Sequence, residues 1–287
     1  MDGRCAVLAR VADEPLAGTA PVAPRWVCLE HRGAWPREVA EHPDPAVRAF
    51  VARAGAAGWR VLLIRRPGRR GDGASGPTRV YLTHTAPQVA RTARLTIAGP
   101  SELADVPLPE RGAPLPGAPV RDPLLLVCTH GRRDRCCALD GRALAVALAG
   151  TGEPDVWECS HLGGHRFAPT ALVLPTGYVY GRLDAATAVA VRKAAGAGEV
   201  ETALCRGRST WSPAGQVAEL AVRAATGLRD ADALEVADTA GGAVVDSRDG
   251  RRWAVEVHSD EVPAQRPPPV VGRRYRSRRC APPPSVR

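Results

Sequence analysis

Apolar residues fall in two rhythms along this chain: short unbroken runs of strand length, and spacings of three and four that suit a helix. "RWVCLEH" (25–31) and "WRVLLIRR" (59–66) are runs of the first kind, and they flank "DPAVRAFVARAGAAG" (44–58), a stretch of the second. "RVYLTHT" follows the turn-rich "GRRGDGASGPT" as a third strand, and "ARLTIAG" supplies a fourth. The order strand, helix, strand predicts an N-terminal α/β domain over residues 1–105. Closely spaced prolines in "VPLPERGAPLPGAPVRDP" then predict an extended linker over 106–123.

A second domain is predicted over 124–260. It opens on "LLLVC", a continuous apolar run of the kind shown by a strand covered on both faces. "GRALAVALAG" reads as a short helix, "DVWECS" as a strand, and "TALVLP" with "YVYGRL" as a hairpin joined by "TG". "DAATAVAVRKAAGAG" is a helix with Asp184 as its N-cap, because a carboxylate there can accept from the exposed amides of the first turn. A helix in "SPAGQVAELAVRAATG" and a hairpin around "RDG" in "AVVDSRDGRRWAVEVHS" complete the domain. Strand, helix, strand, hairpin, helix is the order of thioredoxin-like domains. No internal repeat is evident in the residues.

Charge changes this picture only at the C-terminus. Of the net charge of +9, seven positive charges are arginines within residues 262–287, a stretch that holds no acidic residue and leaves the rest at +2. The same stretch carries seven prolines and cannot bury a core, so 261–287 is expected as a disordered basic tail rather than as a nucleic-acid-binding surface. No run approaches the ~18 apolar residues of a membrane span. The short apolar patch in "MDGRCAVLARVADEPLAG" is broken by Arg10, Asp13 and Glu14, unlike a secretory signal. The expectation is a cytoplasmic protein with neither membrane nor nucleic-acid partner.

Eight cysteines in such a chain point to metal or redox chemistry rather than structural disulfides. Their placement is uneven. Residues 128–165 hold Cys128, Cys136, Cys137 and Cys159 together with His130, His161 and His165, where an even spread would put about one of each type. Cys128 ends a predicted buried strand, Cys137 precedes a helix whose N-terminus favours a thiolate, and His161 follows another strand. Gly163 and Gly164 cannot sit comfortably in a helix, and they would let backbone amides approach a bulky ligand.

The spacing C-x8-C followed by a pair at x3 resembles thioredoxin-like [2Fe–2S] ferredoxins, with H-x3-H in place of a second cysteine pair. That substitution resembles the sucrase/ferredoxin-like family, as do "EPLAGTA" (14–20), "CTHGRRDRCCA" (128–138), "HLGGHRFAPT" (161–170) and "LPTGYVYGRL" (174–183), and the likeness runs from about residue 14 to 225. The resemblance implies one [2Fe–2S] cluster held by Cys128 and Cys137 on one iron and by His161 and His165 on the other. Cys137 is preferred to its neighbour Cys136 because the family's Arg-Asp-x-x-Cys spacing runs from Arg133 and Asp134 to position 137. Gly163, Gly164, Arg166, Arg133, Asp134 and His130 would surround the ligands. Two thiolates leave the oxidised cluster neutral, which favours electron uptake; Rieske centres lie roughly 250–700 mV above plant-type ferredoxins for a related reason. Imidazole N–H groups could couple that uptake to a proton. The function implied is an electron carrier rather than an enzyme, working with a reductase or an electron acceptor.

Three other readings stay open on the residues alone. Two Cys and two His also suit a structural zinc ion. The twin C-x-H units could bind through Cys128, His130, Cys159 and His161. A thiol-dependent redox enzyme could use Cys128, Cys136 and Cys137, with Cys128, His130 and Asp134 as a catalytic set. The sucrose cleavage in the family's name would need two carboxylates flanking the bond, and nothing in the spacing of Asp134, Asp140, Asp155 and Glu158 singles out a pair.

Overall fold

A computed structural model describes residues 3–68, 76–152, 155–262 and 272–281, with side chains to residue 259. A short helix α1 (Cys5–Val11) leads into β1 (Arg25–Glu30), α2 (Pro45–Ala56), β2 (Arg60–Arg65), β3 (Thr78–His84) and β4 (Arg91–Ile97). Asp44 caps α2 by accepting from the Ala46 and Val47 amides, and Pro45 occupies a first-turn position that needs no donor. Val47, Phe50 and Ala54 recur on one face of α2 and pack on Leu63 and Leu82 of the strands. β1 and β2 run parallel, and β3 pairs antiparallel with β1.

The chain then forms β5 (Ala118–Val120), β6 (Leu124–Cys128), α3 (Arg142–Gly150), β7 (Val156–Cys159), β8 (Ala171–Leu174), β9 (Tyr178–Tyr180), α4 (Ala185–Gly196), β10 (Cys205–Arg208) and α5 (Pro213–Thr226). The Asp184 carboxylate accepts from the Thr187 amide, the cap its position predicts. After α5, β11 (Leu234–Thr239), β12 (Gly242–Ser247), β13 (Arg252–Val262) and β14 (Gly272–Ala281) make a separate four-stranded sheet, packed on α5 through Ala218 and Val222.

The first ten strands form one sheet in the order β10-β9-β8-β6-β7-β2-β1-β3-β4-β5. Within it, β2-β1-β3-β4 and β7-β6-β8-β9 have the same internal order: a parallel pair with a helical crossover, then an antiparallel hairpin. The residues carry no visible repeat, yet the backbone has one. The two halves meet where the ends of β2 and β7 pair antiparallel, Ile64 opposite Cys159 and Arg65 opposite Glu158. One buried cluster crosses this seam, drawing Trp26, Cys28 and Ile64 from one half and Leu126, Cys128 and Trp157 from the other.

Two stretches carry strand pairing that their composition does not signal. The proline-rich stretch 106–123 is not wholly a linker, because Ala118–Val120 pairs with β4 as an edge strand, where a proline without an N–H is tolerated. The stretch expected as a disordered tail contributes β14, whose backbone pairs antiparallel along β13. Residues 263–271 and 282–287 of that stretch lie outside the described residues. Among the described residues no helix is long and apolar enough to cross a membrane.

A π-turn over Cys137–Gly141 leads into α3 and brings the chain hard against the end of β6. A Cβ on Gly141 would lie 2.0 Å from the Cys128 carbonyl oxygen. Gly141→Ala is therefore expected to push the helix off the strand and lower the unfolding free energy by about 1–3 kcal/mol, read from urea unfolding. An unchanged midpoint and slope would refute the contact's importance.

Candidate metal centre

Strand alternation decides where Cys128 points. Leu125 and Val127 face α3 and α4, whereas Leu124, Leu126 and Cys128 face the cluster shared by both halves. Cys137 reaches that cluster from the far side of the loop 129–136. The loop is tied by Asp134, whose amide donates to the His130 carbonyl and whose carboxylate accepts from the Cys136 amide at 2.7 Å. Asp134 thus caps the helical turn in which Cys137 sits, and the amides of that turn favour negative charge on sulfur. His161 arrives from the loop after β7.

The Sγ atoms of Cys128 and Cys137 each lie 4.0 Å from His161 Nδ1. All three donor atoms fall within 4.8 Å of one another. Cys136, one residue away, turns in the opposite direction and packs with Cys5, Ala6 and Ala168. Its thiol is pushed up to about 11, chiefly by burial. Cys137 is the cysteine of the vicinal pair that the fold brings to Cys128.

The two buried thiols share charge unequally. Cys128 is held well below the ordinary thiol range by the Cys137 S–H and by His161, and Cys137 is raised by the neighbouring Cys128 thiolate and by burial. One proton leaves this pair readily. A second negative charge in so dry a place needs a cation beside it. Two thiolates and an imidazole converging from a strand end, a helical turn and a loop are a donor set that suits soft and borderline metals, so the residues present fit a bound metal or iron–sulfur group.

His165 stands at the edge of this group. Its ring centroid is 6.3 Å from that of His161, and its Nδ1 lies 3.6 Å from Asp134 Oδ2. His130 is turned away from the sulfurs: Nε2 donates to the Pro36 carbonyl at 2.9 Å, and Nδ1 accepts from the His161 amide at 3.2 Å. Both ring nitrogens are occupied, and burial lowers its affinity for a proton, so His130 is a neutral strut beneath His161. The twin C-x-H ligand set therefore does not assemble, and no imidazole nitrogen of His130 is left to serve a Cys128 nucleophile.

Gly163 and Gly164 both have positive φ, 93° and 73°. What stands against Gly164 is Arg206, whose Nη2 would be 2.2 Å from an added Cβ. Arg206 is 1% exposed and has no ion-pair partner among the described residues. It donates from Nη1 to the Gly163 carbonyl at 3.1 Å, from Nε to Thr19 Oγ1 at 3.0 Å, and from Nη2 to the Thr19 carbonyl. Burial and Arg166 pull its pKa down to about 9, while the nearby Cys128 and Cys137 oppose that shift. Half-buried Arg60 mirrors it from the other half of the sheet, donating to the His161 and Leu162 carbonyls at 3.4 and 3.1 Å while lying over the Trp26 ring. Neither arginine is visible as a site residue in the sequence. Arg206 occurs in "CRGRSTW", which reads only as a basic edge, and Arg60 opens an ordinary strand.

Arg133 pairs with Glu38, and Arg166 with Glu14 at 2.7 Å, so both tie the ligand region to N-terminal segments. The carboxylates are likewise engaged: Asp140 with Arg4, Asp155 with Arg66, and Glu158 with Arg65 and the Thr129 hydroxyl.

The sucrase/ferredoxin-like family description matches residues 16–207, two thirds of the chain. No curated protein and no solved structure matches it.

Removing the guanidinium in Arg206→Met would strand the Gly163 and Thr19 carbonyls, at roughly 1–3 kcal/mol for each group left unpaired. Faster hydrogen exchange of the 161–165 amides is the expected accompaniment, with partial recovery in Arg206→Lys. Wild-type exchange in the methionine variant would show that the loop does not depend on this cation.

Proposed function

The chain belongs to the sucrase/ferredoxin-like family, and from that premise we propose that it is a cytoplasmic one-electron carrier whose Cys128, Cys137, His161 and His165 hold a [2Fe–2S] cluster. The observation that carries this reading is the convergence of two buried thiols and one imidazole, from the end of β6, the turn before α3 and the loop after β7, within 4.8 Å. When bound, such a cluster supplies one-electron oxidation and reduction. The strand order β9-β8-β6-β7, with its parallel β6 and β7, supports a thioredoxin-like unit as the frame.

The protein's own part is electrostatic and positional. Cys128 and Cys137 bring two negative charges, and neutral imidazoles add none, so the oxidised site stays uncharged in dry surroundings. Arg60 and Arg206 place fixed positive charge behind the ligand loop, which favours the reduced form. His165 completes the donor set in this reading. Asp134 lies 3.6 Å from its Nδ1 and sets negative charge beside that ring nitrogen. The redox partner, a reductase or an acceptor, is of unidentified chemistry.

Anaerobic purification with iron and sulfide quantitation tests the assignment. Two irons and two sulfides per chain are expected, lost in Cys128→Ala and Cys137→Ala and retained in Cys136→Ala. His161→Cys is expected to keep iron and to lower the potential, in the direction of the roughly 250 mV or larger gap between Rieske and plant-type centres. His165→Ala should lose the cluster while His130→Ala keeps it; the reverse would remove His165 from the ligand set.

One observation favours a second reading. Both sulfurs lie at 4.0 Å from the same imidazole nitrogen, so the three donors face one point, as donors to a single ion would. One zinc per chain, with neither iron nor sulfide after anaerobic purification, would establish the structural-metal function in its place.

A further inference from the structure

A cavity of about 420 Å³ opens beside the seam, between the loop after β1, the loop after β6 and the start of α3. Four arginines line it, Arg32, Arg65, Arg132 and Arg142, and among the described residues no acidic side chain does. Two of the four are balanced from behind. Arg65 is fixed by Glu158 at 2.7 Å, with its guanidinium 4.1 Å from the Trp35 ring centroid, and Arg32 lies 3.4 Å from Glu30. Arg132 and Arg142 have no ion-pair partner among the described residues. The cavity therefore concentrates positive charge that the protein does not itself neutralise.

Such a place has specific chemistry. Guanidinium groups present planar paired donors that match carboxylate and phosphate oxygens, and those bonds strengthen where water is partly excluded. The stacking of Arg65 on Trp35 fixes one fork in advance, which reduces the ordering cost of binding. The volume lies within the usual range for small-molecule sites, about 300–1,000 Å³, and exceeds what a single inorganic ion fills.

We propose that this cavity binds a small polyanion bearing phosphate or carboxylate groups. Its limited volume favours a small ligand over an acidic protein segment, which would need a longer track of contacts. His130 lines the same cavity and also accepts from the His161 amide, so the anion would sit one side chain from the candidate metal centre. The site needs no particular metal there, and its test stands apart from the electron-carrier reading.

Isothermal titration of the full chain, as purified, with pyrophosphate and separately with citrate decides the matter. Saturable one-to-one binding of either is expected, weakened at least tenfold in the double variant Arg132→Gln with Arg142→Gln and unchanged in Arg251→Gln, an exposed arginine elsewhere. Binding of pyrophosphate alone identifies a phosphate ligand, and binding of citrate alone a carboxylate. Equal affinity in the parent and the double variant overturns the proposal, as does binding of hexaglutamate with neither small anion. Far-ultraviolet dichroism and the melting temperature establish that the double variant is folded, so that lost binding reports the cavity.

Discussion

Residues 160–164 follow β7 without regular secondary structure, yet they run through partly buried space and carry His161. Buried carbonyls need donors, and here two arginines supply them: Arg60 from the start of β2 and Arg206 from β10. The rest of the candidate centre follows from this constraint. The guanidiniums fix the course of residues 161–164, and that course sets His161 against the two cysteines. Left-handed glycine at 164 is the local condition, because any side chain there would occupy the space of Arg206.

The same arrangement links structure to charge. A guanidinium buried without a carboxylate is costly, and Arg206 gives up part of its proton affinity as a result. Cys128 and Cys137, ahead of Cys205, are nearby groups that can supply compensating negative charge. Thiolates bound to a metal would thus steady the arginine, and the arginine would steady the thiolates. His130 adds a third support, neutral because both ring nitrogens are committed and burial disfavours a charge.

Joining two halves of like strand order along one seam explains why the N-terminal half matters to a centre whose donors all come from the other half. Ser160 continues the pairing begun by Cys159: its amide donates to the Leu63 carbonyl, and its hydroxyl accepts from the Leu63 amide. The ligand loop therefore leaves β7 along β2 rather than into solvent. The seam also places the loop after β1 opposite the loop after β6, and the arginine-lined cavity lies between them.

Much of this was legible in the residues. Continuous apolar runs marked β1, β2 and β6, because strands buried on both faces have no polar side to show. Asp44 and Asp184 marked helix starts, since capping is a local interaction. The crowding of cysteine and histidine over 128–165 marked the site for the same reason: donors close in sequence need little folding to meet. What lay beyond the sequence was long-range. Cys136 and Cys137 are the same residue type in adjacent positions, and only the helical turn pinned by Asp134 sends one to Cys128 and the other to Ala6 and Ala168. Arg60 and Arg206 are separated from His161 by about a hundred and by forty-five residues, and nothing in their own neighbourhoods distinguishes them from surface arginines. The edge strand at 118–120 and the strand at 272–281 escaped because their pairing depends on a partner strand rather than on their own composition. The sequence by itself determined which donors the chain carries and where along it they crowd; the tertiary fold decided which of them meet, because burial, pairing and the direction of a side chain are set by residues far away in the chain.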